Sequence, residues 1–180
     1  MNWNRSEFHK KGSIVTNVEE TKQLQQWVEE SAGGKVRFEL LWKGSQDGFG
    51  ASVFHAKCNN KGPTLTVIKS NNDKIFGGYT SLSWQNRQTY AQDSTAFIYS
   101  LTHKAKCATQ KNTNSIYDHS SYGPRFGNGN DICIYGNCNT RSDNYCNPST
   151  YALPSGADNT FLAGSNYFTV KEIEVYAVIT

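Results

Sequence analysis

The sequence predicts a mainly β fold with some α, in which two antiparallel β-sheets pack as a sandwich flanked by short helices. Short apolar segments recur along most of the chain with a period of two, as in half-buried strands. Turn residues separate these segments, and no helices alternate with them as they would in βαβ units. At 180 residues the chain has the length of one domain. We place this domain at 13–180, after a polar lead-in at 1–12.

One amphipathic helix is predicted near the start of the chain. Thr16 and Glu19 have the spacing of a capping box, in which the threonine hydroxyl accepts from an amide of the first turn. The apolar stripe that follows has the helical spacing i, i+3, i+4 and consists of Leu24, Trp27 and Val28. The helix should end at Gly33-Gly34, because glycine tolerates the left-handed backbone conformation found there.

The remaining elements are predicted to be strands. They cover the segments in which apolar residues alternate or cluster between turns: 36–42, 51–55, 64–69, 75–76, 79–84, 96–101, 132–135 and 168–176. In the last segment the apolar phase shifts between Val170 and Ile173, and a one-residue bulge would keep both on the core side. We predict long loops at 103–130 and 136–160.

Charge and hydropathy exclude several classes of function. The chain has 18 Lys and Arg against 15 Asp and Glu, a net charge of +3, so it has no basic face large enough for nucleic acid. Apolar runs are too short to insert into a bilayer, and the amino terminus lacks the apolar region of a signal peptide. We therefore expect a cytoplasmic protein whose five cysteines are reduced thiols.

Catalytic residues are few and weakly supported. The sequence contains no nucleophile elbow, HExxH or deaminase motif. His55 falls on a predicted strand, and we favour a packed, hydrogen-bonded histidine over a general base. Glu172 and Glu174 would place two carboxylates about 7 Å apart on one strand face, a spacing that could serve acid/base work. We favour the simpler interpretation that they line the solvated or loop-covered face of an edge strand. No metal or cofactor is predicted.

Thiols offer one chemical function that needs no cluster of residues. Cys58 and Cys107 each follow a lysine, and an exposed cysteine in that position would have a lowered pKa and could be oxidised reversibly. A thiol-based redox scavenger or sensor is therefore an alternative function. A metal loop is a remote option because tight CxxC pairs are missing; it would consist of Cys133, Cys138, Cys146 and His119.

Several short motifs occur in a fixed order along the chain. They are LLWKGSQDGF at 40–49, FHAKCNNKGPT at 54–64, FGGYTS at 76–81, SW at 83–84, YGP at 122–124 with FG at 126–127, and EIEV at 172–175. Each motif alone is weak, but the ordered set is specific. This set resembles that of the TLDc domain family, the TBC/LysM-associated domain of the oxidation-resistance proteins. The match covers about 13–178, essentially the whole chain.

The resemblance implies a two-sheet sandwich, a role in resistance to oxidative stress and binding to the vacuolar-type proton-pumping ATPase. It implies no accepted catalytic residues. We therefore expect a non-enzymatic protein-binding module that associates with endomembranes, mitochondria or a cilium through a partner, without nucleic acid or direct membrane insertion. A structural component of a large assembly such as a cilium is the other alternative.

The motif residues are expected to be structural, forming a tight turn, close backbone approaches and core aromatics. If their rings are buried, Phe49→Ala or Trp84→Ala should cost about 3–5 kcal/mol. The residues are Asp47, Gly48, Phe49, Phe54, Gly62, Pro63, Phe76, Gly77, Gly78, Trp84, Gly123, Pro124, Phe126 and Gly127.

Overall fold

A computed structural model describes residues 11–110, 113–128 and 130–180, so the predicted lead-in lies outside the described residues up to residue 10. The predicted class is confirmed: two six-stranded antiparallel sheets pack as a sandwich. The first sheet has the spatial order β1 (Arg37–Lys43), β12 (Val170–Ile179), β2 (Thr64–Ser70), β3 (Ile75–Thr80), β5 (Phe97–Ser100) and β6 (Ala105–Ala108). The second has the order β11 (Tyr167–Phe168), β10 (Asn144–Tyr145), β9 (Ile132–Tyr135), β8 (Tyr122–Phe126), β7 (Asn114–Asp118) and β4 (Thr89–Gln92).

The predicted helix is present as α1 (Val18–Ala32), but its cap is Asn17 rather than Thr16. The Asn17 side-chain oxygen accepts from the amides of Glu19 and Glu20, at 2.8 and 3.4 Å. Asparagine is among the best N-cap residues, so the helix begins one residue later than the capping box suggested. It ends as predicted at Gly33, whose φ is 76°. The apolar stripe is buried on the outer face of the first sheet: Leu24, Trp27 and Val28.

The strand predicted at 51–55 is wrong. Two short helices lie in this part of the chain, α2 (Gly44–Asp47) and α3 (Ala51–Cys58). The buried residues of α3 are Phe54, His55 and Cys58, whose spacing is helical. Alternation over five residues was too short a window to separate a period of two from one of 3.6.

The long loop predicted at 103–130 is also wrong, because it contains β6, β7 and β8. Strand β4 was missed as well. These strands bury little apolar surface of their own, and β8 includes Gly123 and Pro124, two residues that are depleted in strands. Pairing with neighbouring strands outweighs that poor intrinsic propensity. By contrast, β3 runs without interruption through Gly77 and Gly78, where two separate segments were predicted.

The predicted bulge in the last strand is confirmed. The pairing of β12 with β2 shifts register between Val170 and Glu172, and both Val170 and Ile173 contribute to the core between the sheets. However, β12 lies between β1 and β2. It is therefore an interior strand, and the prediction that Glu172 and Glu174 lie on an edge strand is wrong.

The core between the sheets is rich in aromatic side chains. Trp84 is fully buried, its ring lies 5.4 Å from Phe54 and 6.0 Å from Phe126, and its indole N–H donates to the Thr64 hydroxyl at 3.0 Å. Phe49 is only half-buried at the margin of this core, so the cost expected for Phe49→Ala falls below that for Trp84→Ala.

Within the described residues, none of the helices has the length and apolar character needed to cross a membrane.

Gly77 and Gly78 in β3 permit two different close approaches: Gly77 lies against the neighbouring strand β2 of the same sheet, and Gly78 lies against the second sheet. A Cβ at Gly77 would stand 1.9 Å from the Thr66 carbonyl oxygen, and one at Gly78 would stand 2.7 Å from the Phe126 ring. A side chain at Gly77 would push β2 away, because its obstacle is backbone. These glycines therefore permit close packing.

We expect Gly77→Ala to lower the free energy of unfolding by about 1–3 kcal/mol or more, because overpacking a rigid site forces the backbone to move. Urea unfolding followed by tryptophan fluorescence measures this. The matched control is Gly34→Ala, since a Cβ there meets nothing within 4 Å, and it should change stability by less than about 0.5 kcal/mol. Equal effects of the two substitutions would contradict the close approach.

Candidate functional site

Each of the six strands of the second sheet carries a tyrosine on the face that points away from the core. In spatial order across the sheet they are Tyr167, Tyr145, Tyr135, Tyr122, Tyr117 and Tyr90. Neighbouring ring centroids are 4.5–6.5 Å apart. The rings form a continuous row across the sheet, which we call the tyrosine row.

The alternation of side chains along each strand produces the tyrosine row. The sequence neighbours of three of these tyrosines point into the core. They are Ile116 beside Tyr117, Ile134 beside Tyr135, and Phe168 beside Tyr167. Five of the six tyrosines are half-buried, and Tyr167 is 61% exposed. Burial raises the pKa of Tyr145 to about 12, so its hydroxyl stays protonated and can donate a hydrogen bond at neutral pH.

Two arginines lie against this row, in different electrostatic situations. The Arg125 guanidinium carbon is 4.4 Å from the centroid of Tyr117 and 4.6 Å from that of Tyr122, a double cation–π contact. Arg141 lies 4.4 Å from the ring centroid of Tyr135 and also forms an ion pair with Asp143. Thus Arg125 is held between two rings, whereas Arg141 is paired with the carboxylate of Asp143 in its own loop.

His55 holds the turn between β7 and β8 in place. Its Nε2 lies 3.1 Å from the His119 carbonyl oxygen and 3.0 Å from that of Tyr122, so Nε2 carries a proton and donates. Its Nδ1 lies 2.9 Å from the Asn59 side-chain oxygen. At 6% exposure, this is a packed, hydrogen-bonded histidine on α3. It positions Tyr122 in the tyrosine row, and its place on a helix corrects the predicted strand.

The other catalytic candidates do not meet His55. Glu172 accepts from the Ser45 amide at 3.0 Å and from the Ser45 hydroxyl, at the start of α2. Glu174 is fully buried, in agreement with the loop-covered alternative: it accepts from the Ser13 amide at 2.6 Å, in the segment before α1, and from the Tyr176 hydroxyl at 2.7 Å. Since His55 and the two glutamates have separate sets of partners, the structure does not assemble them into an acid/base site.

The cysteines are buried, so neither Cys58 nor Cys107 meets the condition of exposure on which their redox role depended. Burial raises the pKa of Cys58 and outweighs the lowering effect of the adjacent Lys57. Burial also raises the pKa of Cys107 and Cys133 to about 11. Within 11–110, 113–128 and 130–180, no three His, Cys, Asp or Glu side chains converge as a metal site would require, so the cysteine loop with His119 is not assembled.

The motif residues occupy structural positions. The Asp47 carboxylate accepts from the Lys43 amide at 3.0 Å and closes the turn before Gly48. Gly127 has a φ of 83°, and a Cβ there would stand 1.9 Å from an Asp131 carboxylate oxygen. Gly62 donates from its amide to the Ser83 hydroxyl. The remaining motif residues are buried or half-buried: Phe49, Phe54, Pro63, Phe76, Gly77, Gly78, Trp84, Gly123, Pro124 and Phe126.

Sequence reasoning missed the tyrosine row. Three of its members, at 117, 122 and 145, lie in segments that were predicted to be loops. The available signal was the spacing of tyrosine next to an apolar residue, as in Ile116-Tyr117 and Ile134-Tyr135. Without the strand order, that spacing does not show that the rings are neighbours.

Comparison with known proteins gives one family and several relatives. The TLDc domain profile matches residues 9–179. The chain is 25% identical over 155 residues to MTOR-associated protein MEAK7 of Gallus gallus, covering 79% of this chain and 31% of that protein. It is 50% identical over 56 residues to interferon-induced protein 44 of Pan troglodytes, covering 31% of this chain and 12% of that protein. The chain thus spans less than a third of the length of these relatives.

We expect the cysteines of the folded protein to resist alkylation. With a pKa of about 11, only about one in a thousand Cys107 thiols is ionised at pH 8. Iodoacetamide should therefore label the native chain slowly at pH 8 and label all five cysteines in guanidinium, as counted by mass spectrometry. The pKa of these thiols is higher in the folded chain than in the unfolded chain, where it is about 8.5. Their protonated form therefore contributes to stability below about pH 8.5, and this contribution is lost as the pH rises towards 11. A thiol that reacts at the free-cysteine rate in the native chain would contradict burial.

We expect His55→Ala to lower the free energy of unfolding by about 1–3 kcal/mol, because the carbonyl oxygens of His119 and Tyr122 each lose the hydrogen bond that His55 donates. Amide hydrogen exchange around Tyr122 should accelerate at the same time. The control is His103→Ala, an exposed histidine that stacks on Phe161 at 4.8 Å, and it should stay within about 0.5 kcal/mol of the parent. Unchanged exchange around Tyr122 in His55→Ala would show that this histidine does not fix the turn.

Proposed function

Because the chain belongs to the TLDc domain family, we propose that it is a non-enzymatic protein-binding module whose docking surface is the tyrosine row. The observation that carries the proposal is a tyrosine on every strand of one sheet, with two arginines packed against the rings. Tyrosine and arginine are enriched among the residues that dominate binding energy at protein interfaces. Tyrosine has few rotatable bonds, so it contributes a large contact area with a small loss of conformational entropy.

The partner in this proposal is the vacuolar-type proton-pumping ATPase, which the family resemblance implies. The matched relatives include proteins named as MTOR-associated, a name that describes association of those proteins with another protein. Binding to a pump on endomembranes would also give this chain its cellular position, at the cytoplasmic side of such a membrane.

Protection against oxidative stress would then follow from the effect on the pump and not from thiol chemistry. Burial of Cys58 and Cys107, together with their raised pKa, removes the reactive thiolate that a scavenger needs. The second candidate function, a thiol sensor, has no exposed cysteine in support of it among the described residues.

The proposal is tested with the intact chain and the purified vacuolar-type ATPase, by biolayer interferometry and by ATP hydrolysis. We expect Tyr145→Ala with Tyr167→Ala to weaken binding by about tenfold or more, because truncated interface tyrosines lose anchoring contacts. Tyr167→Ala alone should keep the parental melting temperature within a few degrees because this side chain is 61% exposed. Tyr145 is half-buried, so binding by the double variant is measured at a temperature at which it is fully folded.

The matched control is Val18→Ala. Val18 is 57% exposed and lies on α1, which packs on the outer face of the first sheet. It should bind the pump as the parent does. A pump that binds parent and tyrosine variants equally would place the docking surface elsewhere. Absence of binding at micromolar concentration would reject the pump as the partner.

A further inference from the structure

Arg125 is a buried cation for which the described part of the chain supplies no anion. It is 8% exposed, and within residues 11–110, 113–128 and 130–180 its guanidinium has neither a carboxylate at ion-pair distance nor a hydrogen-bond acceptor. Its Nε atom is fully buried and unbonded. A buried charge is normally paired, because the loss of water must be offset. Arg125 is an exception to that rule in this fold.

The geometry around Arg125 leaves one direction for a partner. The centroids of the Tyr117 and Tyr122 rings lie 4.4 and 4.6 Å from the guanidinium carbon, and their π faces stabilise the positive charge through cation–π contacts. The N–H groups in the guanidinium plane remain, and these require acceptor oxygens. The terminal nitrogens are not among the fully buried unbonded atoms, so they keep the solvent contact of this residue, within the tyrosine row.

We propose that Arg125 receives a carboxylate, the side chain of an Asp or Glu on the protein that docks on the tyrosine row. This inference rests on the proposed docking function and specifies the chemistry of the partner. A planar carboxylate matches the fork of N–H donors in a guanidinium. The two tyrosines hold that fork in one orientation before binding, which reduces the entropy lost on association.

Charge in the tyrosine row favours a carboxylate over a phosphate group. Arg141, the other arginine against the row, already forms an ion pair with Asp143. A phosphate carries about two negative charges at neutral pH and would find a single unpaired guanidinium with an aspartate nearby. One carboxylate balances the one free charge of Arg125.

The test selects a phage-displayed library of random dodecapeptides on the intact chain and retains peptides whose binding is lost with Tyr145→Ala. We expect these peptides to share an Asp or Glu. Changing that residue to Gln or Asn should weaken binding to the parent by about tenfold. The same change should alter binding to Arg125→Gln by less than about twofold, because the guanidinium that reads the carboxylate is gone.

Two further variants keep the result interpretable. Arg125→Lys keeps the charge but lacks the fork and should lose most of the preference for the acidic peptide, provided that its melting temperature matches the parent. Lys22→Gln removes a paired cation on α1, which packs on the first sheet and not on the tyrosine row, and should keep the preference in full.

Several outcomes would overturn the inference. Peptides without a shared acid, an equal loss with parent and Arg125→Gln, or no peptide sensitive to Tyr145→Ala would each do so. Tighter binding of a peptide with phosphoserine in place of the acid would assign the site to a phosphoprotein. The peptide result is independent of the pump: a pump that does not bind rejects the proposed partner alone, whereas peptides that bind the tyrosine row without an acid preference reject the carboxylate alone.

Discussion

The packing of Phe126 against Gly78 is the contact on which the sandwich depends. A methyl group at Gly78 would overlap the Phe126 ring, so the sheets reach this separation because β3 has no side chain there. Phe126 also packs edge-on against Trp84. With Phe126 fixed inward, the alternation of β8 turns its neighbour Arg125 outward. One core contact therefore sets the position of the arginine between Tyr117 and Tyr122.

The two sheets differ in how their outer faces are covered. Helix α1 packs on the first sheet through Leu24, Trp27 and Val28, which leaves that sheet buried on both sides. The outer face of the second sheet carries the tyrosine row where the first sheet carries a helix. Rings that pack on one another are partly buried without a covering helix, so the sheet remains stable while its outer face stays available for binding.

The sequence predicted the class, the helix and most strands of the first sheet well, because those elements bury clear apolar patterns. The stripe of α1 and the bulge near Val170 were read from apolar spacing alone. The second sheet was mostly missed, since its strands alternate tyrosine or polar residues with single apolar ones, and such patterns also occur in loops. Arg125 was not singled out, because its burial and lack of an anion depend on which strands are neighbours.

One edge of each sheet is a poor template for a further strand. The second sheet ends at β11, which is only two residues long. The first sheet ends at β1, which bears Arg37, Glu39 and Lys43 and has an irregular register between Leu40 and Trp42. Short, charged or kinked borders of this kind hinder end-to-end polymerisation into fibrils. A protein with an aromatic surface can thus remain dispersed at high concentration, because its adhesive rings lie on a face and not along a margin where backbone ladders could grow.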